Sequence, residues 1–243
     1  MAYTMWRGVV GIIKPTRRPG SLEELIRLLP PGIGVVPLML NVRDGSHTEF
    51  SSALPHYEKY VAELAEQDVD LIYPGGAPPF MLLGYEGEAK LIDQWEKKYK
   101  TTIFTTGQNH VAALRALGIK RFIGASYSAL QNEIVIKYMK EAGFEVASME
   151  PIDVPFEEAG QISPETCYAH IMKLFRQSKN VDGIYIQGGA WRNENIVEIL
   201  EQDLGVPVVH STIAQAWQIQ KMLSVNQPKA GFGRLVSELP ALV

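Results

Sequence analysis

The chain has 243 residues and a formal net charge of −4, with 46% hydrophobic and 21% charged residues. These values are typical of a globular protein, and the acidic balance offers no basic face for nucleic acid. No apolar run approaches the roughly 20 residues of a membrane-spanning helix, and one cysteine, Cys167, excludes an internal disulfide, so we expect a cytoplasmic protein.

Apolar runs bounded by Gly, Pro or Asn alternate with helical patterns, which is typical of βα units. In chain order the predicted strands are Gly8–Ile13, Gly34–Leu40, Leu71–Tyr73, Thr102–Thr105, Arg121–Ala125, Glu145–Met149, Gly183–Ile186 and Val206–His210. The predicted helices are Ser21–Leu29, Ser52–Gln67, Gly87–Tyr99, His110–Leu117, Ser128–Glu141, Ser163–Gln177, Asn193–Asp203 and Ile213–Leu223. The pattern predicts an α/β fold.

An internal repeat organises these units. Val69–Ala77 and Val181–Ala190 both read as a buried strand that runs into Gly-Gly-Ala, and each has a similar strand after the next helix. The repeat predicts two α/β halves, residues 1–110 with 214–243 and residues 111–213. If the halves face each other, the two Gly-Gly-Ala turns lie across one cleft at the carboxyl ends of their strands, where open α/β sheets bind ligands.

A Gly-Gly-Ala turn suits anion binding because backbone N–H groups are exposed where bulky Cβ atoms are absent. The residues expected to hold a carboxylate or an oxyanion are Gly75, Gly76, Ala77, Gln187, Gly188, Gly189 and Ala190. A purely conformational role, in tight strand-to-helix turns, is the competing interpretation for either turn alone.

Several motifs resemble the arylmalonate decarboxylase family over nearly the whole chain. They are Gly11-Ile12-Ile13-Lys14-Pro15, the segment from Ala113 to Arg121, Ala125-Ser126-Tyr127 followed by Asn132-Glu133, the segment from Leu204 to Val209, and Gly231-Phe232-Gly233-Arg234-Leu235. This family and the maleate isomerases form one branch of the aspartate/glutamate racemase superfamily. The resemblance implies two pseudo-symmetric doubly wound parallel-sheet domains with the active site in the cleft between them, and no metal, nucleotide or organic cofactor.

The chain departs from the family at its cysteines. The resemblance places the family's first cysteine position in the turn of Gly75, Gly76 and Ala77, and the second at Gly188, so neither turn carries a thiol. Cys167 lies near the start of a predicted helix and is expected to pack rather than to react. The thiol route of the racemases and maleate isomerases is therefore not expected, whereas the anion-binding turns are retained.

Other side chains are candidates for proton transfer or substrate contact. His210 ends a strand, where its side chain is expected to enter the cleft, and His110 occupies the matching turn of the other half; a histidine suits acid–base work near neutral pH. Tyr127 is expected to contact an oxyanion, with Asn109 and Pro15 as further substrate contacts. Lys14, Arg17 and Arg18 form a basic loop that attracts a carboxylate or is simply solvated.

These observations predict a cofactor-independent, decarboxylase-like lyase that acts on a small carboxylate through an enolate-type intermediate. A hydrolase or hydratase with a histidine-activated water, and a non-catalytic carboxylate-binding protein, stay open as alternatives. The scattered histidines have no metal-ligand spacing and no nucleotide-binding loop follows the first strand. We therefore expect neither metal nor nucleotide, and no nucleic-acid or membrane partner; a homo-oligomer is left open.

Overall fold

The protein contains two parallel sheets. The structure, a computed structural model, describes residues 5–242; the ends of the predicted first half, residues 1–4 and 243, lie outside this range. The first sheet consists of β1 (Gly8–Lys14), β2 (Ile33–Met39), β3 (Leu71–Pro74) and β4 (Thr102–Ile103) in the order β2-β1-β3-β4. The second consists of β5 (Arg121–Ser126), β6 (Glu145–Pro151), β7 (Gly183–Ile186) and β8 (Val208–His210) in the order β6-β5-β7-β8.

Helices flank both sheets. Their bounds are α1 Ser21–Leu28, α2 His47–Glu66, α3 Ala77–Met81, α4 Tyr85–Tyr99, α5 Thr106–Ala116, α6 Ala129–Glu141, α7 Pro164–Gln177, α8 Val197–Leu204, α9 Ser211–Met222 and α10 Arg234–Glu238. Two 3-10 helices cover Phe156–Gln161 and Glu194–Ile196. Together with the sheets, this arrangement confirms the predicted fold class of two doubly wound, parallel halves.

The two sheets repeat one topology. In each, the first strand of the half pairs with the second and the third, with Ile13 opposite Pro74 in one sheet and Ala125 opposite Ile186 in the other. Strands β3 and β7 are buried along their whole length, as expected of central parallel strands covered on both faces. The first Gly-Gly turn follows β3 directly and the second follows β7 after Gln187, so the repeat read from the sequence corresponds to equivalent sheet positions.

Helix starts differ most from the prediction. Helix α5 begins at Thr106, four residues before the expected His110, because Thr105 and Gln108 form a capping box. Helix α9 begins at Ser211 rather than Ile213. Helix α2 begins at His47 rather than Ser52, because the Ser46 side chain accepts a hydrogen bond from the Glu49 N–H.

Two helices, α3 and α10, are absent from the sequence prediction. Helix α3 tolerates Pro78 and Pro79 because a proline in the first helical turn loses no intrahelical hydrogen bond. Helix α3 therefore starts immediately after the first Gly-Gly turn, whereas the second turn runs into irregular backbone.

Helix α9 packs against α5 and α1, and its residues from Ser211 to Gln220 are all buried. It thus links the end of the second sheet to helices of the first half, and the exact division of the chain into domains stays a prediction. Within residues 5–242, no helix is long and apolar enough to cross a membrane, and no cluster of three or more His, Cys, Asp or Glu side chains could hold a metal ion.

Candidate active site

A cavity of about 350 Å³ lies between the two halves, at the carboxyl ends of the central strands. Residues of both Gly-Gly turns line it, as do the loop after β1, Tyr127 after β5, the 3-10 helix that begins at Phe156, and the first turn of α9. The predicted site residues at its wall are Pro15, Gly75, Gly76, Ala77, Tyr127, Gln187, Gly188, Gly189 and Ala190. The cavity is thus where the repeat placed the cleft.

A hydroxyl group braces each Gly-Gly turn. The N–H of Gly76 donates to the Thr106 Oγ1 at 3.0 Å, and the N–H of Gly188 donates to the Ser211 Oγ at 2.8 Å. Thr106 and Ser211 are the first residues of α5 and α9, so the two braces are equivalent by the internal repeat. These hydrogen bonds hold the first turn against α5 and the second turn against α9.

The braces correct one expectation. We expected the Gly76 N–H to be a ligand donor, but Thr106 already accepts from it. The N–H groups of Ala77, Gly189 and Ala190 donate to no acceptor among residues 5–242. These three donors, from both turns, remain for a bound anion.

Tyr127 fills the space in front of the second turn. Gly188 has φ 111°, and a Cβ atom added there would lie 2.2 Å from the Tyr127 Cε1. The Trp191 ring packs edge-on against Tyr127 at 5.8 Å, and its Nε1 donates to the Gln187 carbonyl at 3.0 Å. Burial raises the pKa of Tyr127 to about 12, so its hydroxyl keeps its proton at neutral pH and can donate to an anion.

The cavity wall is basic. Lys14, Arg18 and Arg192 line it, against one acidic residue, the exposed Glu157. The guanidinium of Arg18 stacks on the Phe156 ring at 4.1 Å and donates to its carbonyl, whereas the Arg192 Nε is 3.0 Å from the Oε1 of the buried Glu24. An anionic ligand therefore suits the cavity better than a neutral or cationic one.

Lys14 is the buried member of this basic group. The residue is 7% exposed, and its Nζ donates to the Arg18 carbonyl at 2.7 Å. Burial lowers the pKa of the Lys14 amine, and the nearby Glu23 carboxylate offsets part of this effect.

The histidines correct a second expectation. His210 and His110 were predicted to face the cleft, but both are fully buried and neither lines the cavity. The His210 Nε2 pairs with the Asn193 Oδ1 at 2.8 Å, and the His110 Nδ1 with the Tyr185 Oη at 2.5 Å. Burial lowers their pKa values to about 4 and about 3, so both rings are neutral near pH 7.

The helix starts explain this displacement. Because α9 begins at Ser211, the residues at the cavity edge are Ser211 and Thr212, and His210 stays inside the sheet. Because α5 begins at Thr106, His110 lies in the second helical turn. Asn109 is likewise behind the wall, where its Nδ2 donates to the Ala214 carbonyl and the Gln218 Oε1.

The sequence interpretation missed several lining residues, namely Tyr73, Thr106, Gln131, Ser211, Thr212 and Gln215. A signal for the hydroxyl groups was present, because Thr105-Thr106 and Ser211-Thr212 follow equivalent strands of the repeat. Cys167 is not at the wall: it is buried on α7, and burial raises the pKa of its thiol to about 12.

Comparisons with known proteins agree with this geometry. The family model described as arylmalonate decarboxylase matches residues 24–236 of the chain. Arylmalonate decarboxylase of Bordetella bronchiseptica is 26% identical over 141 residues, which cover 57% of this chain and 58% of that protein.

Solved structures show the same fold. A maleate isomerase from Pseudomonas putida S16 superposes with a TM-score of 0.85 at 18% identity, covering 96% of this chain and 99% of that one. An arylmalonate decarboxylase superposes with a TM-score of 0.81 at 20% identity, covering 95% and 99%. At these identities the likeness establishes the architecture, and the chemistry has to be argued from the residues at the wall.

Proposed function

The chain belongs to the arylmalonate decarboxylase family, and we propose that it is a decarboxylase-like lyase that acts on a small carboxylate without a catalytic thiol. Its relatives are named as a decarboxylase and as maleate isomerases, which supports a decarboxylase or isomerase type of reaction on small carboxylates. The observation that carries the proposal is the basic cavity between two braced turns with unused backbone donors.

The chemistry follows from where charge develops. When the bond to the departing carboxylate breaks, its electron pair passes to the α-carbon and into the retained carboxylate, and CO₂ leaves. The resulting enediolate carries extra negative charge on its oxygens. Donors fixed before the reaction stabilise such charge most effectively. The N–H groups of Ala77, Gly189 and Ala190 and the hydroxyl of Tyr127 are fixed in this way.

A thiol-free route is supported by the shape of the second turn. The resemblance puts the second cysteine position at Gly188, where the positive φ and the Tyr127 ring oppose any side chain. The one cysteine of the sequence, Cys167, lies outside the cavity wall. Proton transfer therefore falls to another group.

The hydrolase alternative loses its proposed base. It required a histidine beside the ligand, and neither His110 nor His210 lines the cavity. A non-catalytic carboxylate-binding protein fits the same donors, so it becomes an outcome of the experiment below.

The test uses malonate, methylmalonate, phenylmalonate and maleate with the chain in D₂O, followed by NMR and CO₂ detection. We expect at least one malonate to give CO₂ and an α-deuterated monocarboxylate, with the rate unchanged by a chelator. Saturable binding of these acids without turnover would instead indicate the non-catalytic protein.

The residue assignment is tested with Tyr127→Phe. We expect kcat/KM to fall by about 10- to 100-fold, because one donor to the developing charge is lost. The free energy of unfolding should change by less than about 1 kcal/mol, because the ring still fills the space before Gly188. Unchanged turnover in this variant would contradict the role of the hydroxyl.

A further inference from the structure

We propose that Lys14 is the group that delivers the proton to the α-carbon of the intermediate, in place of the thiol used by relatives. This inference rests on the proposed function and adds the catalytic acid that it lacks.

Lys14 lies beside the first Gly-Gly turn. It is the last residue of β1, where Ile13 is opposite Pro74 of β3 and the Gly75 N–H donates to the Ile13 carbonyl at 2.8 Å. The chain therefore brings Lys14 next to Gly75, in the turn where the resemblance places the family's first cysteine. Both residues line the cavity.

The amine is buried without an acidic partner. Its one hydrogen bond among residues 5–242 goes to the Arg18 carbonyl, and no carboxylate oxygen of these residues lies within 4 Å of it. A buried ammonium normally requires an ion pair. The two remaining N–H positions of Lys14 are thus available to a ligand.

The charged and titratable groups around the cavity set the behaviour of this amine. From α1, Glu23 favours the charged amine, whereas burial disfavours it more strongly. The others are Arg18 on its own loop, Tyr73 on β3, Tyr127 after β5, Glu157 on the 3-10 helix and Arg192 after β7.

None of these groups is as suitable a proton donor. The arginines stay protonated, and Glu157 is exposed. Burial raises the pKa of Tyr73 and of Tyr127, which makes their protons harder to transfer. Burial moves the Lys14 amine in the opposite direction, towards the range in which a donor works near neutral pH.

The step balances without another reactant. After CO₂ has left, an N–H bond of the Lys14 ammonium breaks and a C–H bond forms at the α-carbon. The enediolate becomes a carboxylate, and the amine is left neutral. The amine then regains a proton from water, which also explains why the deuterium of D₂O should appear in the product.

The test compares Lys14→Met and Lys14→Arg with Arg17→Met. The malonate that the wild type turns over fastest is the probe. Both Lys14 variants should lower kcat by about 10² to 10⁴-fold, since methionine has no proton to give and a guanidinium does not release one. Arg17 is exposed on the same loop and does not line the cavity, so its variant should stay within about twofold of the wild type.

Two further measurements separate proton transfer from simple charge attraction. The wild-type kcat should fall as pH rises through the pKa of the amine, and the residual activity of Lys14→Arg should lack this fall. NMR of ¹⁵Nζ-labelled lysine, assigned by the loss of a signal in Lys14→Met, should give a midpoint below 10.5 that rises when malonate is added.

The outcomes are distinct. Near-wild-type kcat in Lys14→Arg would overturn the proton-donor role and leave Lys14 as a fixed charge. A midpoint at or above 10.5 would overturn it as well. A wild type that turns over none of the probes would overturn the proposed function itself, and the donor role with it.

Discussion

The two Gly-Gly turns have the same hydrogen-bond frame but different surroundings. In both, a glycine N–H donates to the first hydroxyl of a later helix, Thr106 or Ser211. The first turn continues into α3, and the Tyr57 hydroxyl donates to the Gly75 carbonyl at 2.6 Å. The second continues into irregular backbone, and the rings of Tyr127 and Trp191 cover Gly188.

Because of this difference, both turns can bind an anion, but only the first turn has a proton donor next to it. The frame is symmetric because it comes from the repeat, and both turns supply N–H donors. The side of Gly188 is filled by aromatic rings, whereas the side of Gly75 adjoins the buried Lys14. We therefore expect a symmetric anion-binding frame with its acid on one side only, and three comparisons test it.

The largest effect is expected from Gly188→Ala against Gly76→Ala, the equivalent substitution in the first turn. At Gly188 the substitution combines a positive φ with a Cβ that would lie only 2.2 Å from the Tyr127 Cε1, and it should lower the free energy of unfolding by about 3–5 kcal/mol. At Gly76 φ is also positive, at 101°, but the atom nearest to an added Cβ is the Tyr57 Oη at 2.9 Å, at the end of a side chain, so the loss should be smaller, about 1–3 kcal/mol. Urea unfolding measures both.

A double variant sharpens this result. In a Tyr127→Ala background, Gly188→Ala should cost less free energy of unfolding than it does in the wild type, because the clash with the ring is gone and only the cost of the positive φ remains. Equal losses at Gly188 and Gly76 would contradict the difference in surroundings between the two turns.

The second comparison concerns how the free energy of unfolding depends on pH, because different buried titratable groups lie near the Thr106 brace and the Ser211 brace. Glu88 lies close to Gly107, and burial raises the pKa of its carboxyl to about 7. The folded chain then binds more protons than the unfolded chain between about pH 4.5 and 7, so the free energy of unfolding falls as pH rises through this window. Glu88→Gln should remove this fall, on the order of 3 kcal/mol.

His210, which precedes the Ser211 brace, acts in the opposite direction. Its pKa in the folded chain is about 4, below the ordinary 6.5, so the unfolded chain binds more protons and stability falls as pH drops from about 6.5 to 4. His210→Asn should weaken this acid sensitivity, while His110 contributes a further loss of the same sign. Stability against pH, measured by urea unfolding of the three proteins, is the check; unchanged slopes in both variants would contradict it.

The third and smallest comparison removes the braces. Thr106→Val leaves the N–H of the half-buried Gly76 without its acceptor, and Ser211→Ala does the same to the N–H of the buried Gly188, which costs about 1–3 kcal/mol each. The effect should be larger for Thr106, whose Oγ1 is also 2.6 Å from the Tyr73 Oη. Amide exchange of Gly76 and Gly188 should accelerate in the respective variant only. Ser52→Ala, at an exposed site on α2, is the control and should change stability by less than about 0.5 kcal/mol.

The sequence predicted much of this molecule. All eight predicted strands exist, and Gly183–Ile186 has the bounds expected for β7. In a sequence, buried parallel strands are short apolar runs between turn residues. They can therefore be predicted directly from the residue types. The two Gly-Gly turns were found because the same motif occurs in both halves of the sequence, and two occurrences are stronger evidence than one.

The sequence prediction was wrong where a helix begins two to five residues earlier than expected. His210 and His110 follow predicted strands and looked like cleft residues, but earlier helix starts put Ser211, Thr212 and Thr106 at the wall instead. Helix starts depend on capping contacts such as those of Thr105 with Gln108, and a polar residue at a strand end does not show by itself whether it caps or faces the ligand.

By itself the sequence determined the architecture, the repeated turns and the absence of a cysteine from them, because these depend on residue types and their spacing. Only the tertiary structure decided which side chains share the cavity. The overlap of Tyr127 with position 188 and the place of Lys14 beside Gly75 join residues that are far apart along the chain. Such contacts arise from the packing of the two sheets, so local sequence patterns do not predict them.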